Sequence, residues 1–309
     1  MTTNELAERA GLAVAVIDEL EHGGGWIASY GTLIQLSNAL GVGPVELSGR
    51  PVPPGNRAEA ELRSTAFFIR RHLADPSPRI ELGSDTSVAR LLRAQADGDE
   101  SALAAQLLEC LRADVQPEVY AAGAGLLRRL GYADLSWLML HKVRASGHPS
   151  VADEETRLLL DLGQPQAAAL RAEEAGTSES PTLRAMAHAV LREGQAAHEA
   201  LTAAERHAEA PDETARVQAA RAAVALELGY PHEATDHTHR IETGHLTRAE
   251  QYDLLIVSAR AHALLDHAIT ASDLLQRAHG TAPSRFPSDP LARELLHHLR
   301  RVAPTVALP

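Results

Sequence analysis

The chain has 309 residues, of which 45% are hydrophobic but only 3% are aromatic, and its formal net charge is −12. This length is sufficient for two domains with a buried core, and Ala and Leu, both strong helix formers, carry the apolar load. Val, Ile, Tyr and Phe form no alternating runs, so we expect an all-α protein. The acidic balance excludes a chain held to nucleic acid by a broad basic surface.

Cysteine usage and the apolar segments bear on the compartment. Cys110 is the only cysteine, which excludes an intramolecular disulfide and is typical of a reducing cytosol. Its place on an apolar helix face predicts a buried structural thiol. The start, MTTNELAERAGL, lacks the basic segment and apolar core of a secretory signal, and no apolar run is long enough to span a membrane. We therefore expect a soluble, cytoplasmic protein without a membrane partner.

The first 47 residues predict short helices separated by glycine turns. Thr2 and Glu5 have the spacing of a capping box that opens the first helix, and Gly11 ends it. A second helix is predicted over 13–21, a third after Ser29, and a last turn at 45–47, with a glycine run at 23–25 between the second and the third. The inward-facing residues expected on the second helix are Val16, Ile17 and Leu20, and the third helix carries Leu33, Leu36 and Leu40 at helical spacing.

Three segments, TTNELAERAGL, IDELEHG and TLIQLSNALGV, resemble the Cro/C1-type (XRE) helix-turn-helix regulators over residues 2–47. The resemblance implies a helix-turn-helix module in residues 1–47 that binds DNA through its second helix. In that family a further helix precedes the capping box. Either an upstream start codon, residues further along the chain or a partner subunit would complete the core here. The DNA-contacting positions that the resemblance implies are Thr3, Ala13, Val14, Ala15, Asp18 and Glu19.

The residue types at these positions are unusual for a DNA reader. Ala13, Val14 and Ala15 cannot form bidentate hydrogen bonds to a base, and Asp18 and Glu19 would face phosphates with the wrong sign. Residues 1–50 hold two arginines against six acidic residues. The sequence leaves open both DNA recognition and a degenerate module kept for packing or dimerisation. If the chain binds DNA, the nearest candidates for phosphate contacts follow the module: Arg57, Arg63, Arg70 and Arg71.

Residues 48–56 contain three prolines and two glycines, which predicts a semi-rigid linker. A helix is expected over 57–74, with Leu62, Phe67 and Ile69 among its apolar positions, and a Pro-containing break follows at 75–78. From about residue 85, helices of 12–19 residues alternate with short turns. We expect one helical-repeat domain over 57–303 and a short tail at 304–309.

A recurring phrase marks the turns of this domain. Four glycines and one aspartate recur 31–37 residues apart, and alanines recur seven residues before or five residues after the turns. The period and the small residues resemble tetratricopeptide (TPR) repeats, which implies a superhelix with a concave groove for a peptide, a small molecule or a protein partner. The turn residues are Gly131, Gly163, Gly194, Gly229 and Asp266, and the alanines are Ala168, Ala187, Ala222, Ala234, Ala259 and Ala271.

Little in the sequence indicates chemistry. The densest histidine stretch, His232, His237, His239 and His245, lacks the spacing of a zinc site, so we expect no metal. The sequence contains no catalytic or cofactor-binding motif. We therefore expect that the protein is not an enzyme and binds no cofactor. Trp137 is expected in the core, and Trp26 is expected to close the core of the N-terminal module.

Together the two resemblances predict a transcriptional regulator whose repeats bind a ligand and form a homodimer. One alternative is an adaptor that does not bind DNA and keeps the module as a relic. A second is a repeat fold recruited to a biosynthetic step.

Overall fold

The computed structural model describes residues 1–48, 57–74, 85–111 and 116–304, and within these ranges the chain is all-α, without β-strands. No helix in the described ranges is long and apolar enough to cross a membrane. The helices are α1 (Thr3–Ala10), α2 (Val14–Glu21), α3 (Tyr30–Leu40), α4 (Pro44–Leu47), α5 (Arg57–Ala74), α6 (Asp85–Ala96), α7 (Glu100–Cys110), α8 (Pro117–Arg129), α9 (Ala133–Val143), α10 (Pro149–Asp161), α11 (Pro165–Ala175), α12 (Ser180–Val190), α13 (Gly194–His207), α14 (Pro211–Glu227), α15 (Pro231–His239), α16 (Arg248–Leu264), α17 (Ala268–Thr281) and α18 (Pro290–Val302).

The helix ends of the N-terminal module, α1–α4, follow the local sequence signals. Thr2 and Glu5 form the reciprocal capping box of α1, and the Ser29 hydroxyl caps α3. Gly11 and Gly41 end α1 and α3 with φ of 66° and 70°, the left-handed conformation that glycine adopts without strain. The predicted bounds of α5 are also confirmed. Residues 49–56 of the predicted linker, the break at 75–78 and the end of the tail, 305–309, lie outside the described residues.

From α6 onward the helices form an array in which each helix packs against the next along the chain. Alternate helices, α8, α10, α12, α14 and α16, also pack against one another. The buried apolar residues of the array form several clusters along it, one spanning α5–α10 and another spanning α16–α18. The beginning and the end of the array are in contact. The N–H of Glu100, at the start of α7, donates to the hydroxyl of Ser284, which follows α17, at 2.9 Å. The array therefore curves back on itself.

The turns within the helix pairs share one backbone conformation. Gly131, Gly163, Gly229 and Asp266 have positive φ, as their place in the repeated phrase predicts. The prediction for Gly194 was wrong, since this glycine begins α13 and the left-handed residue is Arg192, with φ of 63°. The Arg192 N–H donates to the Ala189 carbonyl, and this hydrogen bond closes the end of α12 although the left-handed residue is not a glycine.

Counted from these five left-handed residues, two small positions recur. Every residue at both positions is fully buried, with an exposure of 0%, because a small side chain lets the two helices of a pair approach closely. The residues five after the turn are Ser136, Ala168, Ala197, Ala234 and Ala271, and those seven before it are Ala124, Thr156, Ala185, Ala222 and Ala259. Ala187 is also buried, but it lies outside this register.

Phe67, one of the apolar residues of α5, is 63% exposed, since the inward stripe of α5 consists of Leu62, Ala66 and Ile69. Three further expectations were wrong. Helices after residue 85 are shorter than expected, down to nine residues in α15, because prolines and left-handed residues delimit them. Trp137 is 40% exposed because Leu135 and Met139 fill the inner side of α9. Val16 is 37% exposed because Ile17 is the α2 residue that enters the module core.

The core of the N-terminal module is closed from outside the module. Ala7, Ile17 and Leu33 belong to this core, and Leu291 of α18 packs against it. The expectation that Trp26 closes this core was wrong, because Trp26 packs against the core of α16–α18 and stacks on His298 of α18, with ring centroids 4.9 Å apart. A helix from the other end of the chain thus covers this side of the module.

Candidate functional site

Helix α2 lies on the outside of the molecule. Ala13, Val14, Ala15, Asp18 and Glu19, the positions expected to face DNA, are all exposed. Thr3 is partly buried, and its hydroxyl donates to the Glu21 carboxylate at 2.7 Å. The structure thus places four of the six residues on one accessible helix and Ala13 at its N-cap, and it engages Thr3 with an acid of that helix.

Helix α18 contacts the loop that follows α2 through an arginine, and α1, which packs against α2, carries another. The guanidinium of Arg301 donates to the Gly25 carbonyl at 2.7 Å and also to the Gly23 carbonyl, so it holds the loop that follows α2. Arg300 lies beside it in the last turn of α18, and Arg9 is exposed in the last turn of α1. Sequence reasoning missed the α18 pair because almost the whole chain separates it from α2.

The four arginines predicted to contact phosphates lie elsewhere. They belong to α5, which packs against α7 and α9. Arg70 lies 3.9 Å from the Asp134 carboxylate and over the Tyr132 ring, so α9 engages its charge. Arg63 is partly buried, Arg71 is exposed, and the side chain of Arg57 lies outside the described set. The structure therefore does not group these arginines with α2.

Helix α3 is bound to the inner side of the curved array. The carboxylate of Glu227, at the end of α14, is 3% exposed and accepts the N–H groups of Tyr30 and Gly31 at 2.9 and 2.7 Å. These two N–H groups belong to the first turn of α3, where a helix has unsatisfied donors and favours a negative charge. The Tyr30 hydroxyl donates to Asp161 of α10. Burial, followed by the nearby Asp161, raises the pKa of Tyr30 well above its usual value.

Two buried arginines bind the backbone of the module on either side of α3. Arg260 of α16 donates through Nε to the Ala28 carbonyl at 3.0 Å. Arg293 of α18 donates to the Ser48 hydroxyl at 2.7 Å and to the Val45 carbonyl at 3.3 Å. Polar side chains from α10, α14, α16 and α18 thus hold the module, and we call the surface that they form the inner face.

A cavity of about 600 Å³ remains between the module and the inner face. Residues of α3, of α4 and of the connection between them form one wall, including Leu33, Val42 and Val45. The array supplies the other wall, which contains Arg128, Arg129 and Asp161. Clefts of this size between two structural units are common positions for small-molecule sites.

Buried ion pairs form the floor of this cavity. Glu100, only 1% exposed, accepts from Nε of Arg129 and from the Ser288 hydroxyl, both at 2.8 Å. Arg128 donates to Glu154 at 2.5 Å and to Asp161 at 2.7 Å. Burial alone would raise the pKa of Glu154, but Arg128 and then Arg157 outweigh it, and the pKa lies below its usual value. Burial lowers the pKa of Arg129.

Sequence reasoning missed the inner face. Its signal is a charged residue near the end of the first helix of a pair, where an apolar residue would otherwise be expected: Arg128, Asp161 and Glu227 occupy such places. Three or more His, Cys, Asp or Glu side chains never come close enough to hold a metal ion within the described ranges. Cys110 is buried as predicted, and burial raises the pKa of its thiol.

No protein-family model matches the chain, and neither the curated proteins nor the solved structures contain a significant match.

Proposed function

We propose that this chain is a transcriptional regulator in which the repeat array holds a helix-turn-helix module and presents α2 to DNA. The observation that carries the proposal is the orientation of the module. Helices α3 and α4 are bonded to the inner face, whereas the face of α2 that would read DNA is exposed. A reading helix must be free on one side and firmly supported on the other.

Base recognition by α2 would rely on apolar contact. Val14 and its neighbouring alanines suit the methyl groups of thymine, which are read through van der Waals contact. Phosphate contacts fall to Arg9, Arg300 and Arg301, and Arg301 already anchors the loop after α2. Because each phosphate neutralised contributes about −0.9 to the slope of log K against log salt, we expect a shallow salt dependence. We also expect a dimer on two half-sites about 34 Å apart.

The cavity between the module and the inner face suits a regulatory ligand. A molecule bound there would contact α3 and α4 on one side and the ion pairs of the array on the other. It would therefore change the free energy with which the array holds the module, and through it the position of α2.

The test is fluorescence anisotropy of the full chain with a duplex from its own upstream region and with a scrambled duplex, at several salt concentrations. The proposal requires tighter binding to the upstream duplex. Val14→Glu should abolish this preference, whereas Ile269→Glu, an equally drastic change at a residue of α17 that is 69% exposed, should preserve it. Absence of binding up to tens of micromolar, or equal losses in both variants, would reject DNA recognition.

A second candidate is an adaptor that uses α2 to bind a protein. The observation that favours it is the chemistry of the exposed surface. Val14 and Val16 are 47% and 37% exposed and lie beside Asp18 and Glu19. An apolar surface with acidic neighbours is complementary to a basic amphipathic segment. This candidate would be supported if the chain binds neither duplex and if Val14→Glu abolishes its binding to a protein partner.

A further inference from the structure

We propose that the cavity between the module and the inner face binds a carboxylate with an apolar body, and that Arg129 binds the carboxylate group. This inference rests on the proposed function for the consequence of binding, because it names the class of regulatory ligand.

The carboxylates beside Arg129 already have partners. Glu100 is bonded to Nε of Arg129. Asp161 accepts from Arg128 at 2.7 Å and from the Tyr30 hydroxyl. A cationic ligand would have to displace one of these bonds and leave a buried arginine or tyrosine without an acceptor, which is costly.

The other carboxylates of the cavity wall are occupied as well. Asp289 accepts from the Tyr252 hydroxyl at 3.0 Å and caps the first turn of α18. Glu46 accepts the N–H of Gly43 and is exposed, and Asp134 pairs with an arginine of α5. The carboxylates of the cavity wall therefore all accept hydrogen bonds, except Asp134, which is 69% exposed and lies 3.9 Å from Arg70.

Arg129 offers donors instead. Its Nε binds Glu100 at 2.8 Å, but neither Nη1 nor Nη2 donates a hydrogen bond to any residue that the structure describes. The Arg129 side chain is 20% exposed, while that of Glu100 is 1% exposed. Arg129 also lines a second cavity of about 420 Å³, which shares Glu100, Arg128 and Arg285 with the first. The outer edge of a guanidinium fork matches a carboxylate in a bidentate arrangement.

The remaining cavity wall selects the rest of the ligand. Leu33, Val42, Val45, Leu162 and Leu291 all line it, and three of them come from the module. These side chains would surround an aliphatic or aromatic body. A phosphate dianion would call for several unpaired cations, but Arg128 is already bonded to two carboxylates. One open fork beside apolar walls fits a monocarboxylate best.

The test is isothermal titration of the full chain with octanoate, octanamide, octylamine and inorganic phosphate. We expect octanoate to bind about tenfold or more tightly than octanamide, the difference that a charged hydrogen-bond pair supplies, and octylamine to bind most weakly. Equal binding of the three octyl compounds, or no binding of octanoate, would overturn the proposal. Phosphate binding more tightly than octanoate would also overturn it and identify a phosphate site.

A matched pair of double variants tests the assignment to Arg129. Glu100→Gln with Arg129→Gln removes the fork without leaving a lone buried charge, and should weaken octanoate binding about tenfold or more. The control is Glu155→Gln with Arg171→Gln, because this pair has nearly the same geometry, 2.6 Å with exposures of 4% and 21%, and does not line the cavity. The control should bind octanoate as the wild type does. Equal losses in the two double variants would overturn the role of Arg129.

A single variant covers the case in which the first double variant does not fold. Val42→Trp adds volume at the cavity wall, at a residue that is 39% exposed and takes no part in the ion pairs. It should abolish octanoate binding while the thermal unfolding midpoint changes little. Unchanged binding would contradict the location of the site.

Anisotropy with DNA in the presence and absence of octanoate separates the two proposals. If the chain binds octanoate but not DNA, the proposed ligand site stands and the proposal of a transcriptional regulator is rejected. If it binds DNA sequence-specifically but not octanoate, the regulator stands and the proposed ligand site is rejected.

Discussion

The carboxylate of Glu227 accepts the backbone N–H of Gly31 at 2.7 Å across 196 residues of sequence. A helix of the array thus supplies the N-terminal cap of a helix in the module. The interaction is buried and places a negative charge at the positive end of α3. It joins the array to the module, because the carboxylate belongs to the array and the N–H groups that it accepts belong to the module.

Replacement of this carboxylate should weaken the whole molecule. We expect Glu227→Gln to lower the free energy of unfolding by about 1.5–3 kcal/mol, the range for a hydrogen bond to a charged group, because the amide offers one acceptor where two donors converge. Urea unfolding followed by circular dichroism measures it. Glu205→Gln is the control, because Glu205 binds Arg221 at a position that is 41% exposed, where a loss below about 1 kcal/mol is expected. Equal losses would contradict the capping role.

Two left-handed glycines provide a matched test of the contact between the module and the array. Gly163 and Gly229 have φ of 67° and 89°, so an alanine is strained at either position by about 1–2 kcal/mol. A Cβ at Gly163 would also overlap the amide of Asn38, whereas a Cβ at Gly229 meets no described atom within 4 Å. Gly163→Ala should therefore lower the thermal unfolding midpoint further than Gly229→Ala does. Adding Asn38→Ala should remove the excess, and an excess that persists would contradict the contact.

The sequence predicts the local features of the fold well, because their causes lie within a few residues. The Thr2 capping box, the Gly11 end and the Ser29 cap depend on hydrogen bonds across one helical turn. Five of the small residues, Ala168, Ala222, Ala234, Ala259 and Ala271, were also predicted at their distances from the turns, whereas Ala187 was assigned from Gly194 and lies outside the register. Arg192 was missed because a left-handed helix end normally carries glycine or asparagine.

The candidate site depends on long-range geometry and was less predictable. The exposed residues of α2 follow from the pattern of the module. The contacts of Glu227, Arg260 and Arg301 with the module depend on how far the array curves, which no local pattern encodes. The arginines of α5 were predicted near α2 because they follow the module in sequence, but α5 packs against α7 and α9 instead.

The small-residue register yields a prediction about stability. Ala168→Leu inserts three heavy atoms at a position that is 0% exposed, and overpacking of this kind costs about 1–3 kcal/mol. Gln166→Leu introduces the same side chain at an exposed position of α11 and should be nearly neutral. Differential scanning calorimetry of the two variants compares them directly. A similar midpoint for both would mean that the helices of this pair are not closely packed.

The stacking of Trp26 on His298 predicts a pH dependence. Burial, and then Arg301, holds the pKa of His298 below its ordinary value. Between the folded and the unfolded pKa the unfolded chain binds more protons, so the free energy of unfolding should fall as the pH drops through the window below about 6.5. Urea unfolding across this window measures the effect. His298→Gln should remove part of the slope, and a slope identical to that of the wild type would contradict the assignment.

Hydrogen exchange of α3, followed by mass spectrometry in the wild type and in Glu227→Gln, tests the central claim that the array holds the module. The account predicts that Tyr30–Leu40 exchange as slowly as α14 and α16, and that the substitution accelerates exchange first at Tyr30 and Gly31. Fast exchange across α3 in the wild type, unchanged by the substitution, would contradict it.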